Sequence, residues 1–161
     1  MKITEKYIFF LNGTFSNWHT SHFKKDEIWY NCVEQYMMHQ KALHFNDKEI
    51  ADKIIKSKYP NVQKALGREV RNFDAVKWDL VCQDIVFLGC LEKFKQNPNL
   101  KKDLLFYGNG RQFVEAADYD PIWGIGMDEE DEGIENPKNW KGKNYLGKVI
   151  DRVYNILNVD I

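Results

Sequence analysis

Two carboxylates in this chain sit among residues that could make them chemically active. Glu34 lies in YNCVEQYMMHQKALHF, Tyr30 to Phe45, near the start of a helically spaced segment and among Tyr30, Val33, Tyr36, Met37 and Met38. Asn31 stands three residues before it, so N-x-x-E predicts a capping box in which the Glu34 carboxylate bonds back to the Asn31 amide. Capping carboxylates are normally solvated. Enclosure among rings and thioethers would instead raise the pKa and make Glu34 an acid or a base. Lys41 falls two turns along the same helical face, so one carboxylate and one ammonium are expected to look into one place.

The second constellation is VEAADYDPIWGIG, Val114 to Gly126, which sets Glu115, Asp120 and Trp123 in a strand-to-loop passage that also holds Gly124. Asp120 precedes Pro121, which biases its backbone to an extended conformation. The purely structural alternative is an Asx-type turn beside a buried Trp123. Trp78, on a predicted helix, is either core or a platform for a ligand ring. Arg68 in LGRE and Lys143 in WKGKN, Trp140 to Asn144, put cations beside helix ends, where free backbone amides suit phosphate oxygens. Rings, phosphate donors and carboxylates together suit a substrate with a base, a ribose and phosphates. Cleavage of its C–N glycosidic bond passes through an oxocarbenium-like centre. One carboxylate can stabilise that centre while it or another deprotonates water, and an aromatic face can hold the departing base.

Other chemistries find no motif. A G-x-S-x-G elbow, a P-loop and paired C-x-x-C are absent, and GIGM at Gly124 to Met127 lacks the third glycine of a dinucleotide fingerprint. His19 and His22 form H-x-x-H without a nearby cysteine or a matched second pair, so they read as loop histidines, and neither metal nor cofactor is expected. With 23 basic and 24 acidic residues the net charge is −1, which offers no global field to a polyanion; any nucleic-acid contact must be local. Cys82 and Cys90 fall on one predicted helix, too far apart for a disulfide, so a reducing, cytoplasmic setting is expected. No apolar run approaches the roughly 18 residues of a membrane span, and Met1 to Lys6 lacks the apolar region of a signal peptide.

These residues must be held by a domain of 161 residues, read as a single domain over 1–161 of predominantly helical α+β class with a minor sheet. Tyr7 to Leu11 and Glu27 to Asn31 read as strands flanking a polar loop, and the first helix as Cys32 to His44. Asn46 with Glu49 is a second predicted capping box, opening a helix with an Ile50, Ile54, Lys58 stripe that stops before Pro60. A short helix from Pro60 to Leu66 is expected to end at a left-handed Gly67. Asp74 caps the longest helix, predicted to bury Trp78, Val81, Cys82, Ile85, Leu88 and Leu91. A helix stopping at Gly108 and a strand carrying Glu115 follow. Asn144 is then the predicted cap of a last helix with Leu146, Val149, Ile150, Val153 and Leu157 inward. Asp128 to Glu132 begin an acidic loop over 128–136, expected to be solvated.

FSN at Phe15 to Asn17, Y-x-x-x-E-Q-Y-x-x-x-x-K-A from Tyr30 to Ala42, LGR at Leu66 to Arg68, and Trp78 come in order. EKF at Glu92 to Phe94, VEA at Val114 to Ala116, DPIWGIG at Asp120 to Gly126 and GKNYLG at Gly142 to Gly147 follow. Through these blocks the chain resembles the NADAR, or YbiA-like, family over nearly its whole length. The resemblance implies a compact, mainly helical α+β fold and an N-glycosidase without a redox cofactor. Two substrate classes come with it: ADP-ribose attached to guanine, and phosphorylated ribosylaminopyrimidines of early riboflavin synthesis. Position by position, it implies a catalytic set of Glu34, Trp78 and Asp120. The pocket set it implies is Lys41, Arg68, Glu115, Trp123 and Asn144, with Asn17, Gly124 and Lys143 completing the substrate contacts. The expected partner is a nucleotide-like molecule with ribose and phosphate, including ADP-ribosylated single-stranded DNA, and no membrane. Gln35 stands where the family often has His, FSNW departs from its usual spacing, and the acidic run lies outside its pattern. Rival readings are a non-catalytic ADP-ribose-binding module and a helical interaction protein whose rings are all core.

Overall fold

The computed structural model describes residues 1–159. In chain order its elements are β1 (Lys2–Ile3), β2 (Tyr7–Phe10), β3 (Phe23–Lys25), β4 (Ile28–Tyr30), α1 (Val33–His44), α2 (Lys48–Lys56), α3 (Pro60–Arg68), α4 (Ala75–Gln96), α5 (Pro98–Gly108), β5 (Gln112–Glu115) and α6 (Tyr145–Asn158). This is the expected predominantly helical α+β class, with two small sheets rather than one. No described helix is long and apolar enough to cross a membrane. The chain divides into two compact units, Asn17–Asn97 and Met1–Ser16 with the chain from Pro98 onward.

In the unit Asn17–Asn97, α1 packs against α2, α3 and α4. The β3–β4 hairpin was not anticipated. Its two-residue turn is Asp26–Glu27, both at positive φ, a left-handed pair that usually announces itself as Asn-Gly. Asn46 does not open α2. It sits at φ 58° after α1, its amide bonded to the Leu43 carbonyl at 3.0 Å while the Asp47 amide reaches Ala42 at 2.8 Å, a Schellman closure of α1. Asp47 is the N-cap of α2, accepting from the Ile50 amide, and its carboxylate also takes the Arg71 guanidinium at 2.6 and 3.1 Å. That hydrogen bond holds the Asp47 carboxyl far below its ordinary range. Lys58 lies beyond α2, so its buried face is Ile50, Ala51 and Ile54.

Two further expectations are corrected. Gly67 is inside α3, which runs on to Arg68; a Cβ there would overlap the Met38 side chain, so the glycine admits Met38 rather than ending the helix. On α4 the inward face is rotated from the expected one: Cys82, Val86, Gly89, Cys90, Lys93 and Phe94 are buried, whereas Leu88 is exposed and Trp78, Val81, Ile85 and Leu91 are half-buried. Size decides this. The Tyr36 ring of α1 lies so close to α4 that a Cβ on Gly89 would come within 2.5 Å of it, so the face of α4 that holds Gly89, rather than the one with Leu88, can meet α1 there.

The other unit holds the three-stranded sheet, order β1-β2-β5, with β1 antiparallel and β5 parallel to β2. Phe9, Val114, Ala116, Ile125, Met127 and Ile134 form one core cluster, and α6 lies on β5. All five apolar residues expected inward on α6 are buried. The acidic loop is built of turns. Glu129 accepts from the Met1 ammonium at 3.1 Å, and Asp128, Glu130, Asp131 and Glu132 are exposed.

The α6–β5 contact includes Asp151, whose carboxylate accepts from the Phe113 amide at 2.9 Å and which burial pushes up to about 6. The folded form therefore holds this proton more tightly than the unfolded chain. Stability contributed by Asp151 is full below the unfolded value near 3.9 and is lost as pH rises through about 6. Asp151→Asn keeps the acceptor without the charge. It is expected to gain about 1–2 kcal/mol at pH 7, discounted for partial exposure, and nothing at pH 3.5. Urea unfolding at the two pH values checks this.

Candidate active site

In the unit Asn17–Asn97, Glu34 is buried, 4% exposed, in the first turn of α1. It is not the cap predicted for it. Cys32 is the N-cap, its sulfur accepting from the Gln35 amide at 3.5 Å, and the bond back to the Asn31 amide comes from Gln35 Oε1 at 2.8 Å. The far end of the same side chain donates to the Ile54, Ile55 and Ser57 carbonyls, closing α2. Gln35 thus takes the helix-end duties, and Glu34 projects from α1 with its backbone amide held by the Asn17 carbonyl at 3.0 Å. Asn17, itself buried, also accepts from the Cys90 thiol.

Lys41 Nζ donates to the Gly67 carbonyl at 2.7 Å and lies 4.3 Å above the Phe73 ring. Burial lowers its pKa; the Glu34 carboxylate works against that shift, and the Arg68 guanidinium adds to it. Glu34 and Lys41 are therefore electrostatic neighbours, as the helical spacing predicted, and Arg68 acts on the same ammonium. Arg68 is exposed at the C-terminal end of α3, an end of carbonyls rather than amides. Trp78 is half-buried beside His44, ring centroids 6.4 Å apart. His44 lies at the other end of α1 from Glu34, about 15 Å along the axis at 1.5 Å per residue.

In the other unit, Glu115, Asp120, Trp123, Gly124, Lys143 and Asn144 belong to one interlocked loop system. Glu115 ends β5; its amide donates to Asn144 Oδ1 at 3.0 Å, and its carbonyl accepts from Ile125 at 2.9 Å. Asp120 Oδ1 accepts from both the Ile122 and Trp123 amides at 2.9 Å, so the Asx-type turn is present, and Oδ2 makes no hydrogen bond among the described residues. Trp123 is half-buried and meets Tyr145 edge-on at 5.8 Å. A Cβ on Gly124 would come within 3.0 Å of the Asp120 and Glu115 carbonyls, so only glycine lets the loop close here. Lys143 is exposed, its ammonium 5.3 Å from the Tyr145 ring.

The amides expected to await phosphate at this helix end are occupied. Lys143, Asn144, Tyr145 and Leu146 donate to the carbonyls of Pro121, Gly124, Ile122 and Trp123. Asn144 precedes α6 at φ 53°, yet its side chain does not cap the helix; it turns to β5, donating to the Phe113 carbonyl at 3.0 Å as well as accepting from Glu115.

The NADAR domain family model matches residues 9–158. The chain belongs to the NADAR family. It is 41% identical to an N-glycosidase of Acanthamoeba polyphaga mimivirus, the match covering 93% of this chain and 95% of that protein. It is 28% identical to an N-glycosidase of Nostoc punctiforme over 91% and 89% of the two chains. Protein irg-1 of Caenorhabditis elegans is also 41% identical, over 81% of this chain, but the match spans only 62% of the nematode protein. The NMR structure of the Escherichia coli protein YbiA has the same fold, with a TM-score of 0.79 at 24% identity over 99% of this chain and 89% of that one. This NADAR protein is accordingly an enzyme, a hydrolase of N-glycosyl bonds.

Within this NADAR chain, two contributors escaped sequence reading. Gln35 enters the sequence reading only as a departure from the family's usual His, although a long amide at N3 of a helix is the return arm of a capping box as readily as a carboxylate. Lys93, 1% exposed, lies in the EKF block, but its burial was not foreseen because its position on α4 belongs to the face that the apolar spacing leaves outside. Asn144 accepts from one backbone group of β5 and donates to another. Asn144→Ala is expected to lose about 2–3 kcal/mol by orphaning both groups, a drop readable as a lower urea midpoint at unchanged slope.

Proposed function

We propose that this NADAR enzyme releases ADP-ribose from guanine, in a nucleotide or in single-stranded DNA, by hydrolysis of the C–N bond. Water adds at the ribosyl anomeric carbon, the bond to the base nitrogen breaks, and a proton returns to that nitrogen. Glu34 and Asp120 handle the water and the developing cation, as the family resemblance implies. Trp78 or Trp123 stacks the base; both are half-buried, as a ring needs to be to offer a face. Lys41 and Arg68 hold phosphate, with Asn17, Glu115, Gly124, Lys143 and Asn144 shaping the surroundings. The assignment takes 1–161 as one NADAR domain without a cofactor, in a cytoplasmic setting; the three free, buried thiols support the latter.

The observation that carries this reading is the burial of Glu34 in a helix whose capping is done by its neighbours. A buried carboxylate that is not the helix cap, with the Lys41 ammonium as an electrostatic neighbour and Arg68 acting in turn on Lys41, is suited to meet a cationic centre on a phosphorylated sugar. Near-zero net charge and an exposed acidic loop favour one extruded or terminal nucleotide over a long duplex.

Mass-spectrometric detection of free ADP-ribose after incubation with guanine-ADP-ribosylated single-stranded DNA tests it. Wild type is expected to release ADP-ribose and Glu34→Gln to be slower by about 100- to 10,000-fold while remaining folded. A fully active Glu34→Gln would remove Glu34 from the chemistry. Turnover of a phosphorylated ribosylaminopyrimidine in its place would move the assignment to that substrate. Tight calorimetric binding of ADP-ribose with no turnover of either would make this chain a binding module.

A further inference from the structure

Buried lysines are rare because an ammonium taken from water is strongly disfavoured unless another group compensates it. Lys93 is such a residue: 1% exposed, on the inward face of α4, in the EKF stretch that the assignment above leaves without a part. Its surroundings are specific. The charge is felt by Cys90, one turn earlier on α4, and by Cys32, the N-cap of α1, and its ammonium lies 5.1 Å from the Phe94 ring. Cys32 in turn feels Glu34 and Lys93 with opposite sign. Asn17 links the same groups a second way, its carbonyl on the Glu34 amide and its side chain on the Cys90 thiol.

From this geometry we propose that Lys93 is a positioning residue for the glycosidase: a resident countercharge beneath the first turn of α1 that keeps Glu34 ionised until substrate arrives. The inference rests on the Glu34 assignment above. Burial pushes the Cys32 thiol up to about 11, so it is uncharged at neutral pH, and the Glu34 carboxylate acts on this same N-cap residue as Lys93 does. Lys93 itself is brought down by burial to about 8, with Cys90 and Cys32 acting in the opposite sense, so it remains mostly protonated at pH 7. Lys41, on the same helix, also acts on Glu34, and Arg68 from α3 acts on Lys41. Tyr30 from β4 and Asp52 of α2 act instead on His39, further along α1. Lys41 spends its ammonium on the Gly67 carbonyl and can serve phosphate. Lys93, enclosed, serves only the interior.

Carbon-13 NMR titration of the Glu34 side-chain carboxyl in the wild-type protein tests this without reference to any substrate. The expected result is an acid step followed by a second, smaller step whose midpoint coincides with that of Lys93 Cε, near pH 8. In Lys93→Met the second step vanishes and the acid step moves to higher pH by a unit or more, on the order of tenfold in proton affinity; Lys93→Arg restores the lower midpoint. A Glu34 resonance indifferent to Lys93 titration in the wild type overturns the proposal even where Lys93→Met does not fold. Coupling observed together with a fully active Glu34→Gln leaves the countercharge standing and removes the catalytic assignment. An inactive Glu34→Gln with no coupling does the reverse.

Discussion

The unit Asn17–Asn97 turns on one side chain, Gln35. Its carbonyl oxygen receives the Asn31 amide at the start of α1, and its amide nitrogen closes the end of α2 through three carbonyls. A carboxylate at this position could accept the first bond but not donate the others. A neutral imidazole could accept at one nitrogen and donate at the other, but with a single N–H for three carbonyls. Because both helix termini are satisfied by a neutral group, the adjacent Glu34 can be buried as a charge-bearing residue without leaving α1 uncapped. Cys32 completes the arrangement by capping with sulfur, and its thiol also reaches Gln63 at 3.2 Å, tying in α3.

The second unit solves a similar problem with Asn144. There a left-handed residue places one amide side chain across β5, while the first turn of α6 is satisfied by carbonyls of the Pro121–Gly124 turn. Both units therefore spend a neutral amide on backbone groups. Loss of either amide therefore orphans backbone groups at two places at once, which is why it is expected to register first in stability.

Much of this was legible in the sequence, for particular reasons. The α6 face repeats apolar residues at helical spacing without interruption and was read correctly, as were Asp74 as a cap and Gly108 as a stop. The α4 face was misread because apolar spacing ranks Leu and Ile above Cys and Gly, whereas close approach of Tyr36 selects for small side chains. Asn31 and Asn46 each offered a plausible cap, and in both cases the next residue does the capping; a local pattern cannot tell Asn closing one helix from Asn opening the next. Candidate site residues were recognisable through ordered blocks, yet the blocks did not separate Asn144, held by backbone, from Asp120, which keeps one oxygen unbonded. That distinction depends on hydrogen-bond direction, which residue type does not encode.

The Asp120 clamp makes the two oxygens of one carboxylate chemically inequivalent. Oδ1 already accepts two amide hydrogens, and its remaining electron density is a poor destination for a third. A further donor or a cation approaching Asp120 therefore finds Oδ2 the better-disposed oxygen. The backbone has chosen the regiochemistry of this side chain in advance, so no rotation about its terminal bond has to be arrested when a ligand approaches.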